Sequence, residues 1–400
     1  MKAIYLDNNA TTRVDPAVVD AMLPFFTEHF GNASSAHSFG AEVGTAVKAA
    51  RQQLQQLLGA AHDHEIIYTS GGTESDNAAI LSALEALPDR NEIVTSKVEH
   101  PAILSLCEHL EKTGRAKVHF IGVDKVGQLD IDAYRAALSD KVAVVSLMWA
   151  NNETGTIFPV EGLAELAKEH GALFHTDAVQ AAGKTPISLK DSAIDMLSLS
   201  GHKLHGPKGI GALYVKKGAR FKPLIRGGHQ ERARRGGTEN VPAIIGLGKA
   251  AELALQHMAE EQGRVRELRD RLEKAVLQRV PNCIVNGDRH DRLPNTSNIA
   301  FEYVESEAIL LHLNRSGVAA SSGSACTSGS MEPSHVLKAM EIPEAALHGA
   351  VRFSFSRDNV AEDVDRVVEA LPGVVEKLRE MSPFWADAEK KTNDSKPVFA

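Results

Sequence analysis

The chain has 400 residues, of which 43% are hydrophobic and 24% are charged, and its formal net charge at pH 7 is −8. This composition is typical of a globular protein long enough for two or three domains. The acidic balance argues against a general nucleic-acid binder and against attachment to an anionic membrane surface. We therefore expect no nucleic-acid partner and no membrane partner.

The chain carries three cysteines, Cys107, Cys283 and Cys326. Their odd number and their spacing match neither a disulfide framework nor a zinc site. The first residues, MKAIYLDNNATT, lack the apolar segment of a signal peptide, and the stretch VAVVSLMWA is too short to span a bilayer. We expect a cytoplasmic protein whose thiols are reduced.

Short runs rich in Val, Ile and Leu alternate with helical patterns over residues 14–260. The predicted strands are EIIYT, NEIVTS, KVAVVSLMW, ALFHTDA, AIDMLSLS and IGALYV. Buried strands separated by helices indicate a mostly parallel sheet with helices on both faces. The sequence therefore predicts an α/β fold in which residues 14–260 form a large domain.

A long charged helix is predicted near residues 250–279, and a different pattern follows it. Strands are predicted at CIVNG, SNIAFEY and VRFSFS, with helices at SEAILLHLNRSG and towards the end of the chain. We interpret residues 1–13 and 261–382 as a smaller α+β domain that carries a mobile cysteine loop at 319–332. The polar residues 383–400 are predicted to form a flexible tail.

Polar residues follow the predicted strands at the edge of the sheet where ligands bind in such folds. Gly72 and Thr73 come shortly after EIIYT, at a helix start whose outward N–H groups suit an anion. The alternative is an ordinary tight turn with Thr73 as the N-cap. Asp177 and Gln180 follow ALFHT, where a carboxylate points into the ligand crevice, unless Asp177 is itself an N-cap.

Ser200, His202 and Lys203 follow the strand MLSLS. A lysine among small and polar residues at the end of a strand is a candidate Schiff-base nucleophile, although a surface lysine is the more common case. His100 precedes a predicted helix start at Pro101. It is a candidate proton donor that stacks on a planar ring, or else a structural histidine.

The arginines of RGGHQERARRGGTEN favour a phosphate clamp or a subunit contact over an RNA-binding segment. Arg352 presents a planar fork suited to a substrate carboxylate, or is a half-exposed strand arginine. Cys107 lies on an apolar helical face and Cys283 begins a strand. Cys326 instead lies among small residues in AASSGSACTSGS, a segment suited to movement.

Three of these features together suit pyridoxal phosphate. The Gly-Gly-Thr turn suits its phosphate, the strand-end aspartate its pyridine nitrogen and the downstream lysine its aldehyde. The sequence also resembles the cysteine desulfurases of the class-V aminotransferase superfamily, closest to their nitrogen-fixation type. The shared motifs are NASSAHSFG, TSGGTESDN, VEHPAI, NNETGT, HTDAVQ, SLSGHKLHGPKGIGALY, RGGTEN and ASSGSACTSG. This resemblance, from YLDNNATT to VRFSFSR, implies a pyridoxal-phosphate-dependent homodimer of fold type I.

The resemblance also implies a role for each candidate. Lys203 would hold the coenzyme's aldehyde, Asp177 its pyridinium nitrogen and Gln180 its phenolic oxygen. His100 would stack on the ring and transfer protons. The other residues implied at the cofactor, most of them at its phosphate, are Gly72, Thr73, Asn152, Ser200, Gly201, His202 and, from the other subunit, Thr238.

The implied reaction converts L-cysteine to L-alanine and leaves the sulfur on Cys326 as a persulfide for an iron–sulfur scaffold protein, with nitrogenase maturation as the expected purpose. Asn152 and Arg352 would hold the substrate carboxylate, and Cys326 would bind cluster iron transiently. The alternatives are a housekeeping cysteine desulfurase, a selenocysteine lyase or an aminotransferase of the same fold. A non-catalytic sulfur carrier that uses Cys326 alone is a further alternative.

Overall fold

The computed structural model describes residues 3–323 and 332–385. Its strands are β1 Ile4–Tyr5, β2 Ile66–Thr69, β3 Glu92–Ser96, β4 Lys117–Ile121, β5 Val142–Ser146, β6 Leu173–Asp177, β7 Met196–Ser200, β8 Gly211–Val215, β9 Cys283–Asn286, β10 Thr296–Phe301, β11 Val318–Ala319 and β12 Ala350–Ser354. Its α-helices are α1 Pro16–Met22, α2 Pro24–Thr27, α3 Ser38–Leu58, α4 Gly72–Ala86, α5 Pro101–Lys112, α6 Ile131–Ala137, α7 Val160–Glu169, α8 Gln230–Ala233, α9 Val241–Gln256, α10 Met258–Glu260, α11 Arg266–Arg279, α12 Ser306–Arg315, α13 His335–Ala339, α14 Glu344–Leu347 and α15 Ala361–Glu380.

Seven strands form the central sheet in the order β2-β8-β7-β6-β5-β3-β4. The five strands from β7 to β4 pair in parallel, and β8 runs antiparallel to both β7 and β2. Parallel neighbours need crossover connections, and the intervening helices cover the two faces of the sheet. The prediction of an α/β fold with a mostly parallel sheet flanked by helices is confirmed.

The strands of the central sheet bury apolar side chains on both faces. Ile93 packs with Cys107 in the core on one face, whereas the next residue, Val94, packs in the core on the other face. Val144 and Val145 divide in the same way. Successive strand residues point to opposite faces, so a strand buried on both sides is apolar throughout. The prediction that Cys107 is a core residue is confirmed, since it is 0% exposed.

A second, smaller arrangement lies outside the central sheet. It contains the antiparallel sheet β12-β10-β9 and the parallel pair β1-β11. A separate core cluster joins residues from both ends of the chain, including Ile4, Val318 and Val364. Other C-terminal residues, such as Leu337, pack with the main core instead. The division of the chain near residue 260 therefore stays a prediction.

The charged helix predicted near residues 250–279 is interrupted in the structure. Helix α9 ends at Gln256, and a π turn over Glu261–Val265 joins α10 to α11. A π turn adds one residue to the helical turn, and here both Glu261 and Val265 are buried. Hydrophobic periodicity does not reveal such an insertion.

Two predicted mobile segments fall largely outside the described residues. Residues 324–331 of the cysteine loop and residues 386–400 of the tail are not described. Before the second gap, Trp385 packs its ring 4.6 Å from the guanidinium carbon of Arg379. Mobility of the loop and of the tail stays a prediction.

Candidate active site

A cavity of about 190 Å³ lies at the carboxyl ends of the central strands, where the sequence predicts a ligand site. Strand β6 ends at Asp177 and strand β7 ends at Ser200, and both residues line the cavity. The lining residues are Ala10, Gly72, Thr73, Asp76, His100, Met148, Ala150, Asn152, Asp177, Val179, Gln180, Ser200, His202 and Lys203. Most of the predicted cofactor residues therefore meet in one place.

Lys203 reaches the cavity from a tight 3-10 turn, Gly201–Lys203, that directly follows β7. Its Nζ donates to the backbone oxygens of Asn9 and Ala10, the second at 2.7 Å. A side chain at Gly201 would place its Cβ 2.9 Å from the Pro207 oxygen, so the turn accepts only glycine there. Gly201 therefore allows the tight turn that carries Lys203, but it does not itself line the cavity.

Asp177 and His100 face the cavity from neighbouring elements. Asp177 Oδ1 accepts from the Val179 amide at 2.8 Å, and burial raises the pKa of this carboxyl while His100 and Lys203 oppose the rise. His100 caps α5, and its Nδ1 accepts from the Ala102 amide at 3.1 Å. The proton of the neutral ring therefore resides on Nε2, and burial lowers the pKa of His100.

One end of the cavity suits an anion. Helix α4 begins at Gly72 after the cap residue Gly71, so the alternative in which Thr73 is the N-cap is wrong. Gly72 and Thr73 line the cavity beside Ser200 and His202. Unpaired N–H groups and the helix dipole favour negative charge at this position. Burial, with Lys203 next in weight, lowers the pKa of His202 to about 4, so the ring is neutral at pH 7.

Arg352 lies beside the cavity without lining it. Its side chain is 2% exposed, so the alternative of a half-exposed strand arginine is wrong. Nη2 donates to Asp7 Oδ1 at 2.9 Å, and Nη1 donates to the backbone oxygen of Asn152 at 2.9 Å. Asn152 itself lines the cavity. Carboxylate binding by Arg352 and Asn152 stays a prediction.

The segment that contains Thr238 does not reach this cavity. Thr238 is exposed and is absent from the cavity lining. The arginines nearby pair with helix α4, since Arg235 Nε lies 3.0 Å from Glu74 Oε1 and Arg226 Nη2 lies 2.7 Å from Glu85 Oε1. The role predicted for Thr238 requires a second copy of the chain and stays a prediction.

Cys326 lies outside the described residues, so its roles as sulfur acceptor and as a transient iron ligand stay predictions. The described residues that flank its segment contact two buried charged side chains, Glu153 and Arg352. Ser334 Oγ donates to Glu153 Oε2 at 2.6 Å, and Arg352 Nη1 donates to the Gly323 oxygen at 3.3 Å. Burial raises the pKa of Glu153, and both Ser334 and Arg352 oppose that rise.

Several residues at the cavity were not predicted from the sequence. The oxygens of Asn9 and Ala10 act through the backbone, so the side chains of NNATT give no sign of them. Asp76 lines the cavity, and burial together with the nearby Asp177 raises its pKa. Glu99 does not line the cavity, but it directly precedes His100, which does, and it is 0% exposed. The only indication of Glu99 in the sequence is that a glutamate stands in VEHP, at the predicted helix start.

Glu99 makes a pH-dependent contribution to stability. Burial raises its pKa to about 8, and its Oε1 accepts from Ser96 Oγ at 2.6 Å and from the Met148 amide at 3.0 Å. An unfolded glutamate ionises near pH ~4.3. The folded state therefore keeps a proton that the unfolded state loses, and stability falls as the pH rises from about 4.3 to about 8.

We expect Glu99→Gln to remove most of this slope, because the amide oxygen accepts the same two hydrogen bonds and carries no charge. Urea unfolding at pH 5 to 8 measures the effect, which is of the order of a few kcal/mol across that range. Glu108→Gln, at an exposed position of helix α5, which begins shortly after Glu99, is the control. A Glu99→Gln protein with the wild-type slope would contradict the assignment.

The family of the chain follows from comparison with known proteins. The aminotransferase class-V model matches residues 4–367. The chain belongs to the class-V aminotransferase family. A class-V relative, a cysteine desulfurase of Gluconacetobacter diazotrophicus, is 69% identical over 400 residues, 100% of both chains. Cysteine desulfurase NifS of Azotobacter vinelandii is 62% identical over 386 residues, 96% of each chain.

Solved structures agree with this class-V assignment. A NifS-like protein superposes with a TM-score of 0.88 at 34% identity, covering 94% of this chain and all of the other. SspA in complex with cysteine superposes with a TM-score of 0.78 at 35% identity, covering 88% of this chain and 98% of the other. The predicted family and the predicted fold type are confirmed.

Within residues 3–323 and 332–385, no group of three or more His, Cys, Asp or Glu side chains is arranged to hold a metal ion. Over the same ranges, every helix is too short or too polar to cross a bilayer.

Proposed function

We propose that the chain is a pyridoxal-phosphate-dependent cysteine desulfurase that converts L-cysteine to L-alanine and transfers the sulfur to Cys326. The observation that carries the proposal is the meeting of Lys203, Asp177 and the N-terminus of α4 in one cavity. The cysteine desulfurases among its relatives, two of them at 69% and 62% identity, support the same activity.

The residues present fit the coenzyme. Asp177 is a buried carboxylate that lacks a fixed cationic partner within hydrogen-bond distance among the described residues, and a protonated pyridine nitrogen supplies one. The start of α4 with Ser200 and His202 offers donors to a phosphate group. Lys203 lies at the cavity for a bond to the aldehyde. When bound, pyridoxal phosphate supplies an electron sink for the carbanion formed at the substrate Cα.

The side chains of the cavity have separate roles in proton transfer and in hydrogen bonding to the coenzyme. Asp177 keeps the ring nitrogen protonated, because a carboxylate beside that nitrogen raises its pKa. Lys203 Nζ moves the proton of the substrate Cα. His100 offers its Nε2 proton at the ring face, since its Nδ1 is held by the Ala102 amide. Because the pKa of His202 is low, its imidazole is neutral at pH 7 and donates an uncharged N–H hydrogen bond to the phosphate.

The proposed position of the substrate carboxylate lies between Asn152 and Arg352. Both terminal guanidinium nitrogens of Arg352 are engaged, Nη2 with Asp7 and Nη1 with the Asn152 oxygen. An incoming carboxylate therefore competes with Asp7 for the planar fork of Arg352, which binds carboxylates bidentately. This competition keeps the buried arginine paired whether or not substrate is bound.

The sulfur step requires a thiolate. Attack by Cys326 on the substrate sulfur forms a bond between the two sulfur atoms and breaks the bond from sulfur to the substrate Cβ. The electron pair of the broken bond remains with the carbon fragment, which gains protons and leaves as L-alanine. The persulfide on Cys326 then passes its outer sulfur to an acceptor, for which we propose an iron–sulfur scaffold protein.

We propose a cytoplasmic homodimer in which Thr238 completes the phosphate site of the other subunit. We further propose that the sulfur serves nitrogenase maturation, supported by the 62% identity to NifS of Azotobacter vinelandii. A housekeeping desulfurase or a selenocysteine lyase is the alternative.

The test uses the purified protein with pyridoxal phosphate and L-cysteine. We expect a visible absorbance band from the bound coenzyme and equal amounts of alanine and, with a reducing thiol, sulfide. A colourless protein that makes neither product would refute the proposal and favour a sulfur carrier. Turnover that depends on an added oxo acid would indicate an aminotransferase, and a strong preference for selenocysteine would indicate a lyase.

A further inference from the structure

Lys184 is a buried lysine next to the cavity that the reaction proposed above does not use. It lies four residues after Gln180, is 7% exposed, and donates from Nζ to Gln180 Oε1 at 3.0 Å. Its backbone oxygen accepts from Gln262 Nε2 in the π turn. Burying a lysine costs free energy unless its side chain is paired, so this arrangement calls for an explanation.

Two contacts set the orientation of the Gln180 amide. The Asn9 backbone oxygen only accepts, so the amide nitrogen faces Asn9, and the amide oxygen faces Lys184 Nζ, which donates to it. Gln180 Nε2 then donates to the Asn9 oxygen at 3.0 Å, and the same oxygen accepts from Lys203 Nζ. An amide nitrogen carries two hydrogens, so the second remains for an acceptor in the cavity that Gln180 lines.

The charges around Lys184 come from several other elements. Burial lowers the pKa of Lys184 to about 7; Glu261 in the π turn opposes this shift, and Lys203 and Arg352 contribute to it. Burial likewise raises the pKa of Glu261 to about 7, and Lys184 opposes that rise. Glu261 Oε2 is buried with no hydrogen-bond partner in the described part of the chain. His257 and Arg357 line the same small cavity as Lys184 and Glu261.

We propose that Lys184 is a positioning residue that holds the Gln180 amide in the orientation that offers an N–H group to the phenolic oxygen of the coenzyme. This inference rests on the proposed function, because it assigns a ligand atom to the cavity. Without Lys184, the Asn9 oxygen alone holds this orientation, so the amide turns its oxygen towards the phenolate more readily, which replaces an attraction by a repulsion. Lys184 acts on the coenzyme through Gln180.

The first test is Lys184→Met in the holoprotein, measured by a pH titration of the visible absorbance. A hydrogen bond to the phenolate stabilises the deprotonated coenzyme linkage at Lys203, and a nearby cation disfavours the protonated one. Loss of either moves the absorbance midpoint to higher pH, by about one unit. Lys190→Met, at an exposed lysine in the same loop, is the control and leaves the midpoint unchanged. A Lys184→Met protein with the wild-type midpoint would overturn the proposal.

A double-mutant cycle separates action through Gln180 from a direct effect of charge. In a Gln180→Leu background, we expect Lys184→Met to shift the midpoint by much less than it does in the wild type. The same full shift in both backgrounds would show that Lys184 acts by charge alone and would overturn the positioning role.

A third variant guards against misfolding, because Lys184→Met leaves Glu261 without its neighbouring cation. Lys184→Met/Glu261→Gln removes both charges, and we expect the same upward shift from a protein with wild-type circular dichroism. An unchanged midpoint in this variant would also overturn the proposal. A wild-type protein without any coenzyme band would refute the proposed function and this inference together. A wild-type band with alanine formation, but no shift in these variants, would refute the inference alone.

Discussion

Replacing Lys203 by alanine is expected to remove both the covalent bond to the coenzyme and the proton transfer at the substrate Cα. We expect the visible absorbance of the purified protein to be lost and alanine formation from L-cysteine to fall by about 10⁴-fold or more. We expect no other amine to replace it, because Lys203 lies in the turn directly after β7 and its Nζ is held at the cavity by two backbone oxygens.

The matched control is Lys208→Ala, five residues further along the chain at an exposed position. We expect this variant to keep the band and the activity. Absorbance spectra and an alanine assay on both proteins decide the matter. Wild-type absorbance and turnover in Lys203→Ala would mean that the coenzyme is anchored elsewhere.

Replacing Cys326 by serine is expected to stop sulfur transfer while leaving the coenzyme in place. Serine keeps the size of the side chain, but its hydroxyl does not attack sulfur at neutral pH. We expect sulfide release to fall by about 10³-fold, with an unchanged visible spectrum. Parallel measurements of sulfide, alanine and absorbance separate the sulfur step from coenzyme binding.

The other two cysteines do not substitute for Cys326. Burial raises the pKa of Cys107 to about 12, so only about one molecule in 10⁵ carries its thiolate at pH 7. Cys283 has a raised pKa as well, and its thiol donates to the Val280 oxygen at 3.0 Å. Serine makes the same hydrogen bond, so Cys283→Ser is the control and should keep full activity. Undiminished sulfide release from Cys326→Ser would assign the attack to another group.

The sequence predicts the centre of the site because of how parallel sheets are built. Asp177 and Ser200 end adjacent parallel strands, so their side chains must emerge at the same edge, whatever the rest of the fold does. Lys203 follows within one turn. Residues that act within a few positions of a strand end are therefore predictable from alternating strands and helices alone.

Long-range partners are not predictable in the same way. Arg352 pairs with Asp7 across 345 residues, and the Asn9 oxygen reaches Lys203 across 194 residues. No local pattern encodes which distant backbone oxygen approaches a lysine, and a strand arginine looks the same whether its partner is a protein carboxylate or a ligand. The π turn that brings Glu261 towards Lys184 is not predictable from the sequence either, because it shifts the helical positions of the following residues without any change in amino-acid composition.

The pairing of β1 with β11 bears on how the protein matures during synthesis. Ile4 lies opposite Val318, and Leu6 shares a core with residues as late as Val375. Ile4 and Leu6 therefore lack the partners of their core until most of the chain has emerged. Asn9 and Ala10, which meet Lys203, follow directly after these residues in the chain. A nascent chain truncated before β12 should consequently be unable to retain the coenzyme, which makes cofactor loading a late, post-translational event.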